Sequence, residues 1–515
     1  MPAGRRSCRS CWYRARACRL GGVRSYDGRP RMPAGGGLEW EPSGSAMPDQ
    51  PLESRSGYAP LPSGHHGLPA ERVTADQRAR LNAAMVQLAA EAGYGRTTVE
   101  AVLSRAGVSR RTFYEHYDNK LDCFLAACDD VVRYWMRQGT LAYQRATPND
   151  CEEDTVRVRL RIGLDALFGL VASDPLGART IMLETLNCGR EGIRRLEQAV
   201  ADLEGIVERA FVTDGGPAEL PSTMITVIVG GVLEIVGARL RHGTTSDLID
   251  LADPLLEWMV VYRAPHAAAE VLLAQQALAT IATATEEPNI DDRDEWRTAD
   301  SDSPPLWRDE SVRPIAVRDP RERIIDAAAQ IAAERGYAGL SISEIDRAAG
   351  VSHHTFSRHF ESSDEAFIEA YRAGSKETIA HSLRAYTAES TWSTAVYAGL
   401  AAELQFLARR PELARIGFLE VYAAGPQALE LRETELQLFT AGLEPGYELR
   451  RGGKQPHRIV SEAIAGGIYL LIRERVLHDG PERLPALAAD ATYAALAPFI
   501  GPDEAAAAAV SCARA

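Results

Sequence analysis

The chain has 515 residues, of which 45% are hydrophobic and 25% are charged, and its formal net charge at pH 7 is −14. That length exceeds what one hydrophobic core can organise, and the composition is typical of a globular protein. The acidic balance excludes binding of nucleic acid through bulk positive charge, so any such contact has to come from a local basic patch.

The first segment, residues 1–73, is rich in Gly, Pro, Arg and Ser and has no helical or strand period, so we predict a disordered basic tail. No apolar segment follows its basic start, which argues against a signal peptide. Cys8, Cys11 and Cys18 lack a fourth ligand at zinc-finger spacing, so we expect no metal there. Met32 or Met47 would serve equally as a start of translation.

The eight cysteines are too few and too scattered for a disulfide framework, which indicates a reducing compartment and a cytoplasmic location. We find no uninterrupted apolar run of about eighteen residues, the length that a membrane span needs. The nearest such run, residues 223–237, contains Glu234 and is followed by Arg239 and Arg241. A buried or interface helix explains it better.

A helical period begins near residue 74. Leu81, Ala84, Met85 and Leu88 recur at i, i+3, i+4 and i+7, which predicts a helix with one apolar face. The segment Thr97-Thr98-Val99-Glu100 then predicts the start of a second helix through a Thr-x-x-Glu capping box.

The next stretch, residues 106–117, reads Ala-Gly-Val-Ser-Arg-Arg-Thr-Phe-Tyr-Glu-His-Tyr. Gly107 can adopt the positive φ that a sharp turn between helices requires, and Ser109 can cap the helix that follows. Phe113 and Tyr117 are four residues apart and share the buried face of that helix. The stretch therefore predicts a helix-turn-helix.

The second helix of such a motif is the one that enters the major groove of DNA. Arg110, Arg111 and Tyr114 fall on its outer face, opposite the buried side chains. The two arginines can donate to guanine edges or to phosphates, and the hydroxyl groups of Thr112 and Tyr114 suit phosphate oxygens. The alternative is an ordinary solvated helix face.

The motif recurs 243 residues later. Residues 323–371 repeat residues 80–128 without a gap, and about a third of the positions are identical. The similarity continues beyond the motif, because Gly230-Gly231 is echoed by Gly466-Gly467. A repeat of this length indicates duplication of a whole unit, not a solenoid. Residues 285–319, which are acidic and contain prolines, predict a linker between the two halves.

The string Ala-Gly-Val-Ser-x-x-Thr-Phe-Tyr-x-His-Tyr-x-x-Lys resembles the tetracycline-repressor (TetR) family of bacterial transcription regulators, over residues 74–265 and again over 320–502. The resemblance implies an all-α fold, DNA binding as a dimer, and a small-molecule pocket in the helical body. It also implies repression that a ligand relieves. The expected domains are the tail, 74–134 (first helix-turn-helix), 135–284 (first body), the linker, 320–380 (second helix-turn-helix) and 381–505 (second body).

The expected DNA contacts of the first unit combine the arginines with hydroxyl groups and with charge near helix N-termini. They are Thr97, Thr98, Ser109, Arg110, Arg111, Thr112, Tyr114, His116 and Lys120. His116 fits a packed structural histidine equally well.

The expected contacts of the second unit are Ser341, Ser352, His353, His354, Thr355, Ser357 and His359. Here histidines replace the two arginines, and Ser363 stands in the place of Lys120. Residues 319–371 hold five Lys or Arg against ten Asp or Glu, whereas residues 75–128 hold seven against six. We therefore expect weaker or divergent DNA binding by the second unit, and binding through histidines would be pH-sensitive.

The helices that carry the Gly-Gly pairs are the best interface candidates, and we expect the two halves to pair within one chain or, alternatively, between two chains. A small-molecule effector and a DNA operator are the expected partners, with no membrane, metal or other cofactor. Motifs typical of enzymes are absent from the sequence. Pocket-lining residues would be ordinary core residues such as Leu167, Phe168, Met182, Phe406 and Phe418. The rival function is a ligand-sensing or protein-interaction scaffold that no longer binds DNA.

Overall fold

Helices form every regular element that the computed structural model describes, and the predicted all-α fold is confirmed for those residues. The structure describes residues 69–146, 155–212, 220–262, 319–449 and 455–514, all of which belong to one compact unit. The predictions for the basic tail up to residue 68, for Cys8, Cys11, Cys18 and Cys151, and for the linker up to residue 318 lie outside the described residues.

The first half contains nine helices among its described residues. They are α1 (Ala70–Ala92), α2 (Val99–Ala106), α3 (Arg110–His116), α4 (Lys120–Ala146), α5 (Thr155–Ser173), α6 (Pro175–Arg179), α7 (Gly189–Ala210), α8 (Ser222–His242) and α9 (Ala252–Val261). A π-helical turn, Thr180–Glu184, continues α6, and a 3-10 turn, Thr185–Cys188, follows it.

The second half repeats this order within the part that the structure describes. Its helices are α10 (Pro320–Arg335), α11 (Ile342–Ala349), α12 (His353–Ser357), α13 (Ser363–Ala388), α14 (Trp392–Arg409), α15 (Pro411–Arg415), α16 (Pro426–Gly442), α17 (Glu444–Leu449), α18 (Ile459–His478), α19 (Ala488–Ile500) and α20 (Pro502–Arg514). The π-helical turn recurs at Ile416–Glu420.

Each helix-turn-helix unit packs around buried aromatic side chains. In the first unit Phe113 and Phe124 are fully buried together with Leu81 and Met85. Burying one such side chain contributes about 1.5 to 3 kcal/mol, so these four residues fix how α1, α3 and α4 pack.

The helix-turn-helix units are joined to their bodies in the same way. Helices α4 and α13 run without a break through the predicted boundaries at residues 134 and 380, so each small domain shares a helix with its body. In addition, Glu184 accepts a hydrogen bond from the backbone N–H of Tyr94 (2.8 Å), and Glu420 accepts one from Tyr337 (2.7 Å). Both carboxylates come from the π-helical turns.

The two halves contact each other through the Gly-Gly helices. A β-carbon on Gly231 would lie 2.4 Å from the carbonyl oxygen of Ala463, and one on Gly467 would lie 2.4 Å from that of Val227. Only glycine permits α8 and α18 to approach so closely. One hydrophobic cluster includes residues of both halves, from Val156 to Ala509.

Helix α8 is long and apolar enough to cross a membrane by length and composition. However, 72% of its apolar window is buried inside the protein, and one face lies against α18. This burial supports the prediction of an interface helix.

Candidate functional site

The turn before α3 is fixed by a glycine, a cap and an arginine. Gly107 has a φ of 61°, in the left-handed region, and the Ser109 hydroxyl accepts a hydrogen bond from the N–H of Thr112 (3.1 Å). The Arg80 guanidinium donates to the carbonyl oxygens of Ala106 (2.9 Å) and Gly107 (3.4 Å). These contacts satisfy carbonyl groups that the end of α2 leaves open and hold α3 at a set angle.

The outer face of α3 is open to solvent. Arg110 is exposed, the side chain of Arg111 is 90% exposed, and Tyr114 is 50% exposed while its ring meets Phe113 edge-on. Arg111 pairs with Glu115 at 3.0 Å. Because an exposed ion pair is worth about 1 kcal/mol or less, Arg111 can exchange this partner for a phosphate or a base edge.

One of the predicted contact residues, Thr97, is used inside the protein instead. The side chain of Thr97 is buried, and its hydroxyl donates to the carbonyl of Gly93 (3.0 Å). The cap of α2 is Thr98, which is exposed and accepts from the N–H of Ala101 (3.2 Å), so the predicted capping box was wrong by one residue. Thr97 cannot reach a phosphate, whereas Thr98 remains available.

Lys120 is also committed to the fold. Its ammonium donates to the carbonyl oxygens of Tyr94 and Thr97, each at 3.0 Å, and lies 4.1 Å from the centre of the Tyr94 ring. Burial lowers the pKa of Lys120. The side chain therefore stabilises the connection between α1 and α2, and its expected contact with DNA stays a prediction.

His116 is packed against α1. Its Nε2 lies 3.3 Å from Oε1 of Gln77, and burial, followed by the charge of Arg78, lowers its pKa. Of the two interpretations of this residue, the structure favours the packed histidine, because a neutral ring already paired with Gln77 is a poor phosphate ligand.

The second unit keeps the frame of the turn. Gly350 has a φ of 61°, Ser352 caps α12 through the N–H of Thr355 (3.1 Å), and Arg323 donates to the carbonyl of Ala349 (2.9 Å). Ser341, which aligns with Thr98, caps α11 through the N–H of Glu344 (3.4 Å).

The face of α12 differs from that of α3. His353 and His354 are exposed, and Nδ1 of His353 lies 3.5 Å from a carboxylate oxygen of Asp346. The Ser357 hydroxyl donates to the carbonyl of His353 (2.9 Å) within the same helix. Arg358, which aligns with Glu115, is exposed and supplies a cation that the sequence analysis did not include. His359 is half-buried.

A cavity of about 540 Å³ lies in the second body, between α13, α14, α16 and α18. Most of its lining is apolar, and Phe418, one of the predicted pocket residues, belongs to it. Phe406 and Phe168 are buried core residues, Leu167 and Met182 pack against the core, and none of these four lines the cavity. Two carboxylic acids, Glu403 and Glu435, interrupt the apolar wall.

A buried charge cluster connects α16 of the second body with the interface helix of the first. Arg432 is bound by two contacts to Glu234, 2.5 Å and 3.2 Å long, and Arg241 donates to the same carboxylate at 2.8 Å. Burial opposes ionisation of Glu234, but Arg432 and Arg241 outweigh it and lower its pKa to about 2. The Arg432 guanidinium also lies 4.0 Å from the centre of the Tyr469 ring.

Residues 81–127 and residues 324–370 both match the family described as "Bacterial regulatory proteins, tetR family". The offset between the two matches is the one found in the sequence repeat. The chain carries two tandem units of the tetR family.

Among curated proteins, the HTH-type transcriptional activator FasR of Mycolicibacterium smegmatis is 28% identical to this chain over 106 residues. The match covers 21% of this chain and 45% of FasR, so it spans less than half of that relative.

Two solved structures are similar over about a third of the chain. They are the fatty acid degradation regulator FadR of Bacillus halodurans (22% identical, covering 35% of this chain and 95% of that one) and FadR of Bacillus subtilis in complex with stearoyl-CoA (21%, 34% and 98%). The TM-score is 0.32 in both comparisons, and neither carries information about the ligand of this chain.

Three features of the tetR units were missed by the sequence analysis. The arginine that closes the turn, Arg80 or Arg323, could have been found, because it is identical in both copies. Arg432 and Glu234 are 198 residues apart in sequence, and Glu403 lies in a helix with an ordinary apolar pattern. No local signal marks either of these.

Proposed function

We propose that this chain is a DNA-binding transcriptional regulator whose two tetR units pair within one molecule, and that the first unit supplies most of the DNA affinity. The observation that carries the proposal is the face of α3. Arg110 and Arg111 are exposed on a helix whose turn and cap are fully formed, and no buried group holds either guanidinium. The second unit has the same frame but presents histidines.

The contact between α8 and α18 supports pairing within the chain. The Gly-Gly positions of each helix meet the other, and the ion pair between Arg239 and Glu462 (3.2 Å) spans the two halves. Two recognition helices have to be about 34 to 36 Å apart to read one face of DNA, and a paired chain could present both. Because the two faces differ, the preferred DNA site is asymmetric.

The cavity of the second body is the proposed effector site. Its volume falls in the range of about 300 to 1,000 Å³ that is typical of small-molecule sites, and its wall is largely apolar. Family resemblance favours repression that the effector relieves, whereas FasR is named an activator. A reporter gene under the chain's own upstream promoter, measured with and without the regulator, decides between the two directions.

Binding of the full chain to DNA from the intergenic region beside its gene tests the proposal. We expect the Arg110→Ala/Arg111→Ala protein to lose about tenfold or more in affinity, since each contact to a base edge is worth about 1 to 3 kcal/mol. If the arginines contact phosphates, the slope of log affinity against log salt also falls by about 0.9 for each. The matched control is His353→Ala/His354→Ala, for which we expect a smaller loss.

Unchanged affinity and salt slope in a folded Arg110→Ala/Arg111→Ala protein would overturn the role of α3. An equal loss of affinity in both variants would instead indicate that the recognition helices α3 and α12 contribute equally to DNA binding. The mass of the chain in solution at nanomolar concentration tests the pairing separately. One chain is expected, and a dimer of whole chains that persists on dilution would contradict it.

A further inference from the structure

The cavity of the second body has an unusual distribution of charge for an apolar site. Among the residues that the structure describes, Glu403 and Glu435 are the carboxylic acids that line it, and no described lysine, arginine or histidine does so. The other lining side chains are aliphatic, aromatic or hydroxyl-bearing, with Leu400, Ile468 and Phe439 as examples from three helices. A ligand that enters this space meets two carboxyl groups and no cation from the described lining.

Glu403 has no hydrogen-bond or ion-pair partner among the described residues. It is half-buried and lines the cavity. Burial, together with the nearby Glu435, raises its pKa to about 7. A buried acid without a partner is costly, so the protein leaves this group to be satisfied by whatever occupies the cavity.

Glu435, unlike Glu403, has a hydrogen-bond partner. One of its oxygens accepts a hydrogen bond from the Tyr371 hydroxyl (2.8 Å). Burial raises the pKa of Glu435, while Ser375, Tyr371 and the charge of Arg432 act in the opposite direction. Arg432 acts on Glu435 only through its charge, since both of its terminal nitrogens bind Glu234.

We propose that the cavity binds an amphipathic amine, with the protonated nitrogen paired to Glu403 and the apolar part among the aliphatic and aromatic side chains. This proposal rests on the assignment of the cavity as the effector site. An ion pair with the ligand supplies the partner that Glu403 lacks, and aromatic rings such as those of Phe439 and Tyr386 can attract the same cation. A fatty acid carboxylate would meet two acids and no positive charge among the described lining residues.

Three probes of equal chain length separate the ligand classes, namely decylamine, decanol and decanoic acid. Each is titrated into the full chain by calorimetry at pH 7.5, below the concentration at which it forms micelles. We expect decylammonium to bind at one site per chain at least tenfold more tightly than decanol, because a hydrogen bond to a charged group is stronger than one between neutral groups. We expect no saturable binding of decanoate.

The Glu403→Gln protein removes the charge and keeps the shape. It should lose about tenfold in affinity for decylammonium and keep its affinity for decanol. Glu430→Gln, an exposed change on α16, is the matched control and should bind all three probes as the natural protein does. If Glu403→Gln does not fold, Glu435→Gln provides the second test, with a smaller loss expected.

Tighter binding of decanoate than of decylammonium would overturn the proposed ligand class, as would unchanged amine affinity in a folded Glu403→Gln protein. Either result with intact, arginine-dependent DNA binding refutes the amine proposal alone. Loss of the arginine dependence refutes the proposed function instead, so the two failures are distinguishable.

Discussion

The two helix-turn-helix units of this chain share a frame and differ in the face that the frame presents. Both use a left-handed glycine, a serine cap and an arginine that closes the turn. Both are joined to their bodies through a carboxylate from a π-helical turn. The positions that build the turn are therefore the same in both units.

The residues on the outer faces of α3 and α12 differ between the two units. The first unit presents Arg110 and Arg111, and the second presents His353 and His354 beside Asp346. The surrounding charge changes in the same direction, from seven basic and six acidic residues to five and ten. A fold can thus be duplicated intact while its electrostatic surface diverges, so similarity of fold does not establish equality of function.

The largest expected effect concerns the contact that joins the unequal halves. Gly467→Ala places a β-carbon 2.4 Å from the carbonyl oxygen of Val227, so α8 and α18 have to separate. We expect a loss of about 3 kcal/mol in the free energy of unfolding, measured by urea denaturation. Gly169→Ala on α5 is the matched control, because nothing lies within 4 Å of its β-carbon, and it should be neutral or slightly stabilising. Equal effects would show that the halves do not depend on this contact.

The second-largest expected effect concerns Glu403, the acid in the cavity wall of the second body. The raised pKa of Glu403, about 7 against an unfolded value near 4.5, means that the folded state binds more protons between these values. The contribution of Glu403 to stability is therefore present at pH 4 and is lost as the pH rises through 7. Glu403→Gln should stabilise the chain at pH 8 by about 2 kcal/mol, after allowance for solvent access from the cavity, and by much less at pH 5. A stabilisation independent of pH would contradict the assignment.

Transferring the arginines of α3 to α12 tests whether the difference between the two recognition helices lies in these side chains. His353→Arg/His354→Arg gives the second unit the arginines of the first, and we expect about a tenfold gain in DNA affinity and a steeper salt slope. The control, Gln405→Arg/His457→Arg, adds the same charge at exposed positions elsewhere. If this control gains as much as the graft, bulk charge and not the recognition helix accounts for the increase.

The smallest expected effect distinguishes two roles of Lys120, stabilising the connection between α1 and α2 and contacting DNA. Lys120→Met removes donors to the carbonyl oxygens of Tyr94 and Thr97 and should cost about 1 kcal/mol of stability. The salt slope of DNA binding should stay unchanged. A slope that falls by about 0.9 would restore Lys120 as a phosphate ligand.

Much of the fold was predictable because its signals are local. The apolar period of α1, the glycine turn, the serine cap and the repeat itself depend on residues within a few positions of one another. The Gly-Gly helices were identified because close helix approach requires small residues. The register of the α2 cap was missed by one position, since Thr97 and Thr98 are chemically equivalent until the packing decides which is buried.

The role of Lys120 and the cluster of Arg432 with Glu234 depend on contacts between distant parts of the chain. The cavity also could not be predicted, because its walls come from four helices whose side chains read as ordinary core. Glu403 stands out only when its surroundings are known, as an acid in a largely apolar wall for which the described residues supply no hydrogen-bond or ion-pair partner.

Selection of binding sites from random duplex DNA by the full chain tests the central claim most directly. Two unequal units in one paired molecule predict an asymmetric site, with one strong half that depends on Arg110 and Arg111 and one weak half that does not. In the Arg110→Ala/Arg111→Ala protein, the strong half should lose its sequence preference. A palindromic site with two equal halves would contradict the account.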